Sequence, residues 1–184
     1  PNEDKLTYSV IFHIDEKGQV KYHQIAHTVI NSNRRYTYEE VQSIIERQQR
    51  GTKESLPGDE YANELMILNE FAQQMRAARF AGGAINFDRV EVRFDIDEKG
   101  HPVSVHLKES KEAHQLIEEF MLLANRTVAE TIGKVPAKKA KVFPYRIHDV
   151  PDAEKLDNLA RLALPFGHKV RTTGDKVDIA KSFN

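Results

Sequence analysis

Two short segments with the same turn chemistry, residues 15–18 and 97–100, constrain the fold more than any other feature of the sequence. Both read Asp-Glu-Lys-Gly, and each follows a Phe-x-Ile-containing run. The run before the first turn, over 6–14, alternates apolar and polar residues, and a period of two is typical of a strand with one apolar face. Strand-like spacing resumes after both turns, over 20–30 and 103–107. We therefore expect two antiparallel hairpins, which share turn chemistry and are not a true repeat because their flanks do not match.

Four helices are expected around these hairpins. Thr37-Tyr38-Glu39-Glu40 has the form of a capping box, which predicts a helix over about 38–50 with a buried stripe of Val41, Ile44 and Ile45. Apolar residues at helical spacing predict a second helix from about 62 to the glycines at 82 and 83, and a third over about 111–132 with Leu116, Ile117 and Phe120 on its inner side. Pro151 and Gly167 bracket a fourth. The predicted fold class is α+β, with residues 168–184 expected as a loosely held tail.

Composition excludes several classes of protein. The chain has no cysteine, which rules out disulfide scaffolds, thiol catalysis and cysteine-based metal sites and fits a cytoplasmic location. Its apolar stretches are far shorter than the roughly 20 residues of a membrane-spanning helix. A net charge of −1 argues against a strongly basic nucleic-acid module, although it leaves room for a local basic groove. The chain starts at Pro1 without a leader pattern, and we interpret it as a piece of a longer protein.

Apparent metal motifs have simpler interpretations. Asp95, Asp97 and Gly100 occupy three positions of a calcium loop, but His106 stands where a bidentate glutamate is required, so an ordinary hairpin turn is favoured. His23 and His27 could share a strand face, yet no carboxylate completes a metal site at that spacing. We therefore predict no metal site in this chain. Phosphate-binding loops, dinucleotide fingerprints and serine-nucleophile elbows are missing from the sequence.

The predicted third helix carries a family resemblance. Its sequence over 112–125, EAHQLIEEFMLLAN, closely resembles the central helix of the ribonuclease II and ribonuclease R family of 3′-to-5′ exoribonucleases. Three further segments are similar to family segments in the same order: RYTYEEV over 35–41, RFAGGAI over 79–85 and YRIH over 145–148. The resemblance implies that residues 1–167 are the middle portion of a larger catalytic domain, called the RNB domain, of the bacterial type.

The resemblance also implies an activity for the intact parent protein. Family members thread the 3′ end of single-stranded RNA into a channel and hydrolyse it processively with Mg²⁺, which a cluster of aspartates binds. That cluster lies upstream of the point where this chain begins. We therefore expect this chain alone to be inactive and to bind no metal, with no membrane or DNA partner, and with its oligomeric state left open.

Three residues match family positions for recognition of the RNA 3′ end: Tyr38, Phe87 and Glu118. A phenol and a carboxylate can both bond the ribose 2′-hydroxyl, which distinguishes RNA from DNA, while an aromatic ring can stack on a base. Periodicity alone leaves Glu118 as a solvated residue, and Glu119 is an alternative because adjacent helical residues point about 100° apart. Tyr38 could equally be a surface residue and Phe87 a core residue. For the chain as a whole, the alternative function is a non-catalytic α+β interaction or scaffold domain.

Overall fold

The structure is a computed structural model that describes residues 1–51, 59–86, 91–108, 110–139, 141–146 and 152–183. Within these ranges the chain forms two antiparallel hairpins and five α-helices, which confirms the predicted α+β class and adds one helix to the expected four. The elements in chain order are β1 (Asp4–Ile14), β2 (Val20–Asn31), α1 (Tyr38–Gln49), α2 (Ala62–Ala81), β3 (Glu91–Ile96), β4 (Pro102–Lys108), α3 (Glu112–Val128), α4 (Ala153–Ala163) and α5 (Lys176–Lys181).

Both hairpins turn by the same mechanism. In the first, Asp15 Oδ1 accepts hydrogen bonds from the backbone N–H groups of Lys17 at 3.0 Å and Gln19 at 2.8 Å. In the second, Asp97 Oδ1 accepts from the corresponding amides at 2.9 and 2.8 Å. Gly18 and Gly100 adopt φ of +70° and +85°, which glycine does without a steric cost. The Asp97 carboxylate is thus occupied in closing the turn, as the ordinary-turn interpretation requires.

The second hairpin is amphipathic. Val92 faces Leu107 and Phe94 faces Val105 across β3 and β4. With Ile96 and Val103, these side chains form an apolar face, and each of the six is 52% to 65% exposed. A two-stranded sheet is marginal on its own in water, so burial of this face would add stability to it.

The chain divides into two compact units, of which the first comprises Pro1–Met75 and Ser110–Pro144. Its buried apolar side chains come from the three helices α1, α2 and α3: Ile44, Ile45, Ala62, Ala72, Ala113 and Leu116. The predicted burial of Ile44 and Ile45 is confirmed. Ile117, expected on the inner side of α3, is instead 43% exposed, whereas Glu119 is 3% exposed. Positions 113, 116 and 119 recur every three residues, so the inner face of α3 includes a carboxylate that the hydrophobic pattern excludes.

Polar side chains tie the start of α3 to the two preceding helices. The Glu112 carboxylate accepts hydrogen bonds from Asn69 Nδ2 of α2 at 2.7 Å and from Gln49 Nε2 of α1 at 3.1 Å. Gln42 Oε1 of α1 accepts a hydrogen bond from the Ala113 N–H at 3.1 Å. Asn69 is buried, so its hydrogen bond to Glu112 lies inside this unit.

Helix α3 ends in an unusual way. The α-helical hydrogen bonding stops at Val128, and a π-helical turn covers Ala129–Gly133. The sequence predicted one regular helix to about 132. A π turn is rare because it widens the helix, and apolar periodicity carries no signal for such a local change.

The second unit comprises Arg76–Glu109 and Tyr145–Asn184. Helix α4 is capped by Asp152, whose Oδ1 accepts from the N–H groups of Glu154 and Lys155. The predicted start of this helix at Pro151 lies outside the described residues. The expected tail contains the short helix α5, capped by Asp175, and Ala180 of this helix is buried. The proposed boundary at 167 stays a prediction. Among the described residues, no helix is long and apolar enough to cross a membrane.

Candidate functional site

Tyr38 is the first residue of α1, and its position is set by a capping box. Thr37 Oγ1 accepts a hydrogen bond from the Glu40 N–H at 3.2 Å, and the Thr37 N–H donates to Glu40 Oε2 at 2.6 Å. These reciprocal bonds satisfy two backbone groups at the helix start, as the Thr-x-x-Glu pattern predicts. The bond from the Thr37 N–H lowers the pKa of Glu40 below its ordinary value, because it stabilises the ionised carboxylate.

The loop before Tyr38 is held by one arginine. The Arg34 guanidinium pairs with Glu40 at 3.5 Å and with Glu60 at 3.4 Å. It also lies over the ring of Tyr36, 4.6 Å from the centroid. Partial burial of Tyr36 raises the pKa of its phenol, because desolvation disfavours the phenolate. Together these contacts fix the path of the chain into α1.

The ring of Tyr38 stacks on the imidazole of His114 in α3. The ring centroids are 4.2 Å apart, and the planes differ by only 11°. Tyr38 is 43% exposed, and His114 is half-buried. His114 is the third residue of α3, and its Nδ1 accepts a hydrogen bond from the Lys111 N–H at 3.4 Å. The stack therefore joins the first turn of α1 to the first turn of α3.

Glu118 lies one helical turn after His114 and is exposed. Residues four apart on a helix are neighbours on the same face, about 5–6 Å apart at their Cβ atoms. The structure thus places the Glu118 carboxylate on the helix face that carries the Tyr38–His114 stack. The adjacent Glu119 is buried. Phe87, the third predicted site residue, lies outside the described residues.

This arrangement presents a phenol on the first turn of α1 and an imidazole and a carboxylate on the first two turns of α3. Such groups can donate to and accept from a hydroxyl-bearing ligand. Within the described ranges, no group of three or more histidine, aspartate or glutamate side chains is arranged to hold a metal ion. The described part of the site thus offers hydrogen-bonding groups and no set of three such ligands for a metal ion.

A concavity of about 440 Å³ lies between β2 and the end of α3. On its wall, His23 Nε2 and Thr131 Oγ1 are 2.9 Å apart. Arg126 donates to Glu130 Oε1 at 3.1 Å, and Lys134 Nζ lies 3.7 Å from the same oxygen. The Arg126 hydrogen bond lowers the pKa of Glu130. Among the residues that line this concavity, the charge of Arg126 is offset by its partner Glu130, so the pair offers little net attraction for an anion.

His114 is the site residue that sequence reasoning missed. It lies inside the segment that carries the resemblance, but periodicity marks it only as a polar position in a helical turn. Its partner Tyr38 is distant in sequence, since α2, β3 and β4 all lie between them, and no local pattern reports such a contact. A histidine at the third helical position, where glutamate or glutamine often reaches back to the N-cap, is the one signal available.

Comparisons with known proteins agree with the resemblance. The family model of the RNB domain matches residues 1–184. Ribonuclease R of Aquifex aeolicus is 33% identical over 173 residues, which cover 93% of this chain and 23% of that protein. Ribonuclease R 1 of Lactococcus lactis is 32% identical over 179 residues, covering 97% of this chain and 21% of that protein.

The same fold occurs in a solved structure of Mycoplasma genitalium RNase R in complex with ribose methylated single-stranded RNA. The superposition has a TM-score of 0.81 at 23% identity and covers 99% of this chain and 28% of that one. The chain thus spans about a quarter of the length of the relatives it matches. Because the RNB-domain model matches every residue of the chain, the chain belongs to the RNB-domain family of ribonuclease R and ribonuclease II exoribonucleases.

Proposed function

We propose that this chain is part of the catalytic domain of a processive, Mg²⁺-dependent 3′-to-5′ exoribonuclease that degrades single-stranded RNA in the cytoplasm. The observation that carries the proposal is the RNB-domain match across residues 1–184. Relatives named ribonuclease R, at 32% and 33% identity, support it. The family match favours this function over the alternative of a non-catalytic scaffold domain.

The role of this chain in the parent enzyme is recognition of the RNA 3′ end. Tyr38 and Glu118 would bond the 2′-hydroxyl of a terminal ribose, which DNA lacks. Support comes from the exposure of both side chains and from the stack that places Tyr38 beside the helix face of Glu118. The burial of Glu119 favours Glu118 as the ligand-accessible carboxylate. Phe87 is proposed as the base-stacking ring on the resemblance alone.

The Mg²⁺ ligands of the parent enzyme would lie outside this chain. The described residues do not fit a Mg²⁺ site, since they bring no three acidic or histidine side chains together. Magnesium prefers carboxylate and water oxygens in octahedral geometry, which such a group would have to provide. We expect the 184-residue chain to leave a 5′-labelled oligoadenylate uncut with or without Mg²⁺. Metal-dependent shortening by the chain alone would refute this assignment.

The recognition role is tested in the full-length enzyme with two 5′-labelled oligonucleotides that differ only in the sugar of the 3′-terminal nucleotide, ribose or 2′-deoxyribose. Tyr38→Phe and Glu118→Gln should each lower the ribose preference, measured as the ratio of kcat/KM values. The first removes the phenol hydroxyl, and the second replaces a charged acceptor of the 2′-hydroxyl with a weaker neutral one. Each substitution should lower this ratio by about tenfold, which corresponds to the free energy of roughly one hydrogen bond.

Glu119→Gln is the matched control, since it makes the same chemical change one residue further along α3. Glu119 is buried and thus out of reach of a ligand, so this variant should keep the ribose preference. An unchanged preference in both Tyr38→Phe and Glu118→Gln would count against the recognition role. A lowered preference in Glu119→Gln alone would reassign it to that residue.

A further inference from the structure

The stack between Tyr38 and His114 indicates a role for His114, to which the function proposed above gives no contact with the RNA. The two rings lie face to face at 4.2 Å with an 11° angle between their planes. We infer that His114 is a positioning residue: its imidazole holds the Tyr38 phenol in the orientation that reads the ribose, and it thereby sets sugar specificity. This inference rests on the proposed role of Tyr38.

Tyr38 needs such a support because its exposed ring could otherwise rotate about its side-chain bonds. It is the first residue of α1 and is 43% exposed. A tyrosine ring has two rotatable bonds, and an exposed ring at a helix start exchanges between rotamers. A flat contact over its face restricts both torsions at once. The capping box fixes the backbone of Tyr38, and the stack fixes its ring.

His114 can act as a support because its own ring is held by α3. Its Nδ1 accepts the hydrogen bond from the Lys111 N–H, which belongs to the residue that caps this helix. An imidazole that accepts at Nδ1 carries its proton at Nε2, so this bond selects one tautomer as well as one orientation. Through the stack and this hydrogen bond, the orientation of the Tyr38 ring is fixed relative to the backbone of α3.

The same helix carries Glu118 on the next turn. Two groups that bond one hydroxyl must both stand within about 3 Å of it, so a small displacement of either one weakens the pair. Helix α3 carries Glu118 directly and orients Tyr38 through His114. The distance between the Glu118 carboxylate and the Tyr38 phenol therefore stays constant. Loss of the His114 ring should therefore reduce discrimination between sugars more than it reduces turnover of RNA.

The experiment separates the ring of His114 from its hydrogen bond. In the full-length enzyme, His114→Gln keeps an acceptor that can reach the Lys111 N–H but removes the ring, and His114→Phe keeps a flat ring but removes the acceptor. The readout is the ratio of kcat/KM for 5′-labelled oligonucleotides that end in ribose or 2′-deoxyribose. We expect His114→Gln to lower this ratio about two- to tenfold, the range that aromatic pairs span. His114→Phe should keep it within about twofold while lowering the melting temperature.

His27→Gln is the matched control, because it breaks another tyrosine–histidine pair of the same unit. His27 and Tyr8 meet edge to face at 4.4 Å and 64° on the first hairpin. This variant should keep the sugar ratio. Equal ratios in His114→Gln and wild type would overturn the inference. So would a ratio that falls in both His114 variants in step with their melting temperatures, since that is the result of a merely structural role.

Tyr38→Ala and the double variant Tyr38→Ala/His114→Gln separate this inference from the proposed function. If Tyr38→Ala lowers the sugar ratio and adding His114→Gln lowers it no further, His114 acts through Tyr38. If the second substitution lowers it by the same factor as in the wild-type background, the inference fails and the role of Tyr38 stands. If Tyr38→Ala leaves the ratio unchanged, the proposed ribose contact itself fails, and the inference fails with it.

Discussion

The capping box at Thr37 sets the backbone at the start of α1, so its removal should be visible in the stability of the chain. Thr37→Ala deletes the Oγ1 that accepts from the Glu40 N–H at 3.2 Å, while the Thr37 N–H can still donate to Glu40 Oε2. One side-chain cap bond is lost, which costs about 1 kcal/mol. A loss of that size lowers the melting temperature of a domain of roughly 100 residues by about 4 °C.

The assay is thermal unfolding of the chain followed by far-UV circular dichroism. Thr173→Ala is the control, because Thr173 is an exposed loop residue of the other unit, outside every helix and strand. It should change the melting temperature by less than about 1 °C, the range of neutral surface substitutions. Equal melting temperatures for Thr37→Ala and Thr173→Ala would refute the reasoning, since they would mean that the cap bond contributes nothing in solution.

The pH dependence of this cap follows from Glu40. Its pKa is lowered in the folded chain, mainly by the bond from the Thr37 N–H, so the ionised form is favoured on folding. The contribution is fully present above the unfolded value of 4.5 and is lost as pH falls through the lower folded value. Glu40→Gln should therefore be less stable than wild type at pH 7, and the difference should shrink as the pH is lowered below 4.5.

Two further predictions concern packing and backbone conformation. Ile45 has an exposed fraction of 0%, so Ile45→Ala should cost about 2–5 kcal/mol and Ile45→Val only about 0.5–1.5 kcal/mol in urea unfolding; equal costs would contradict a tightly packed site. Gly83 and Gly100 both have positive φ, +92° and +85°, but only at Gly83 would a new Cβ meet another residue, Val177 Cα at 3.1 Å. Gly83→Ala should therefore lower the melting temperature more than Gly100→Ala does, and the reverse order would show that the contact relaxes freely.

Local chemistry made much of this fold predictable. The turns at Asp15 and Asp97 form through hydrogen bonds between residues two and four apart. A segment of five residues is therefore enough to predict each turn. The capping box at Thr37 spans four residues and is predictable from them in the same way. In each case the atoms that interact are close in sequence, and one pattern suffices to specify them.

The features that were missed depend on distant partners or on a local departure from regularity. The stack of Tyr38 on His114 arises only when α1 and α3 pack, and neither segment shows it alone. The burial of Glu119 conflicts with the apolar pattern of α3, and Ile117 stands exposed in its place. A carboxylate on an inner face is excluded by any reasoning from hydrophobicity, because such reasoning places charges outside. The resemblance pointed to Glu118, with Glu119 as the alternative, and the different burial of these two side chains is visible only in the structure.

The discontinuity of the first unit bears on how the polypeptide folds during its synthesis. The β1–β2 hairpin is contained in the first 31 residues, so it can form as soon as these have left the ribosome. Helices α1 and α2 must wait, because Glu112, whose carboxylate joins them, follows Gln49 by 63 positions and Asn69 by 43. At bacterial and eukaryotic elongation rates this delay lasts on the order of seconds. Throughout it, α1 lacks the packing of α3 against it, so apolar side chains of the nascent chain stay open to aggregation and to chaperones in this interval.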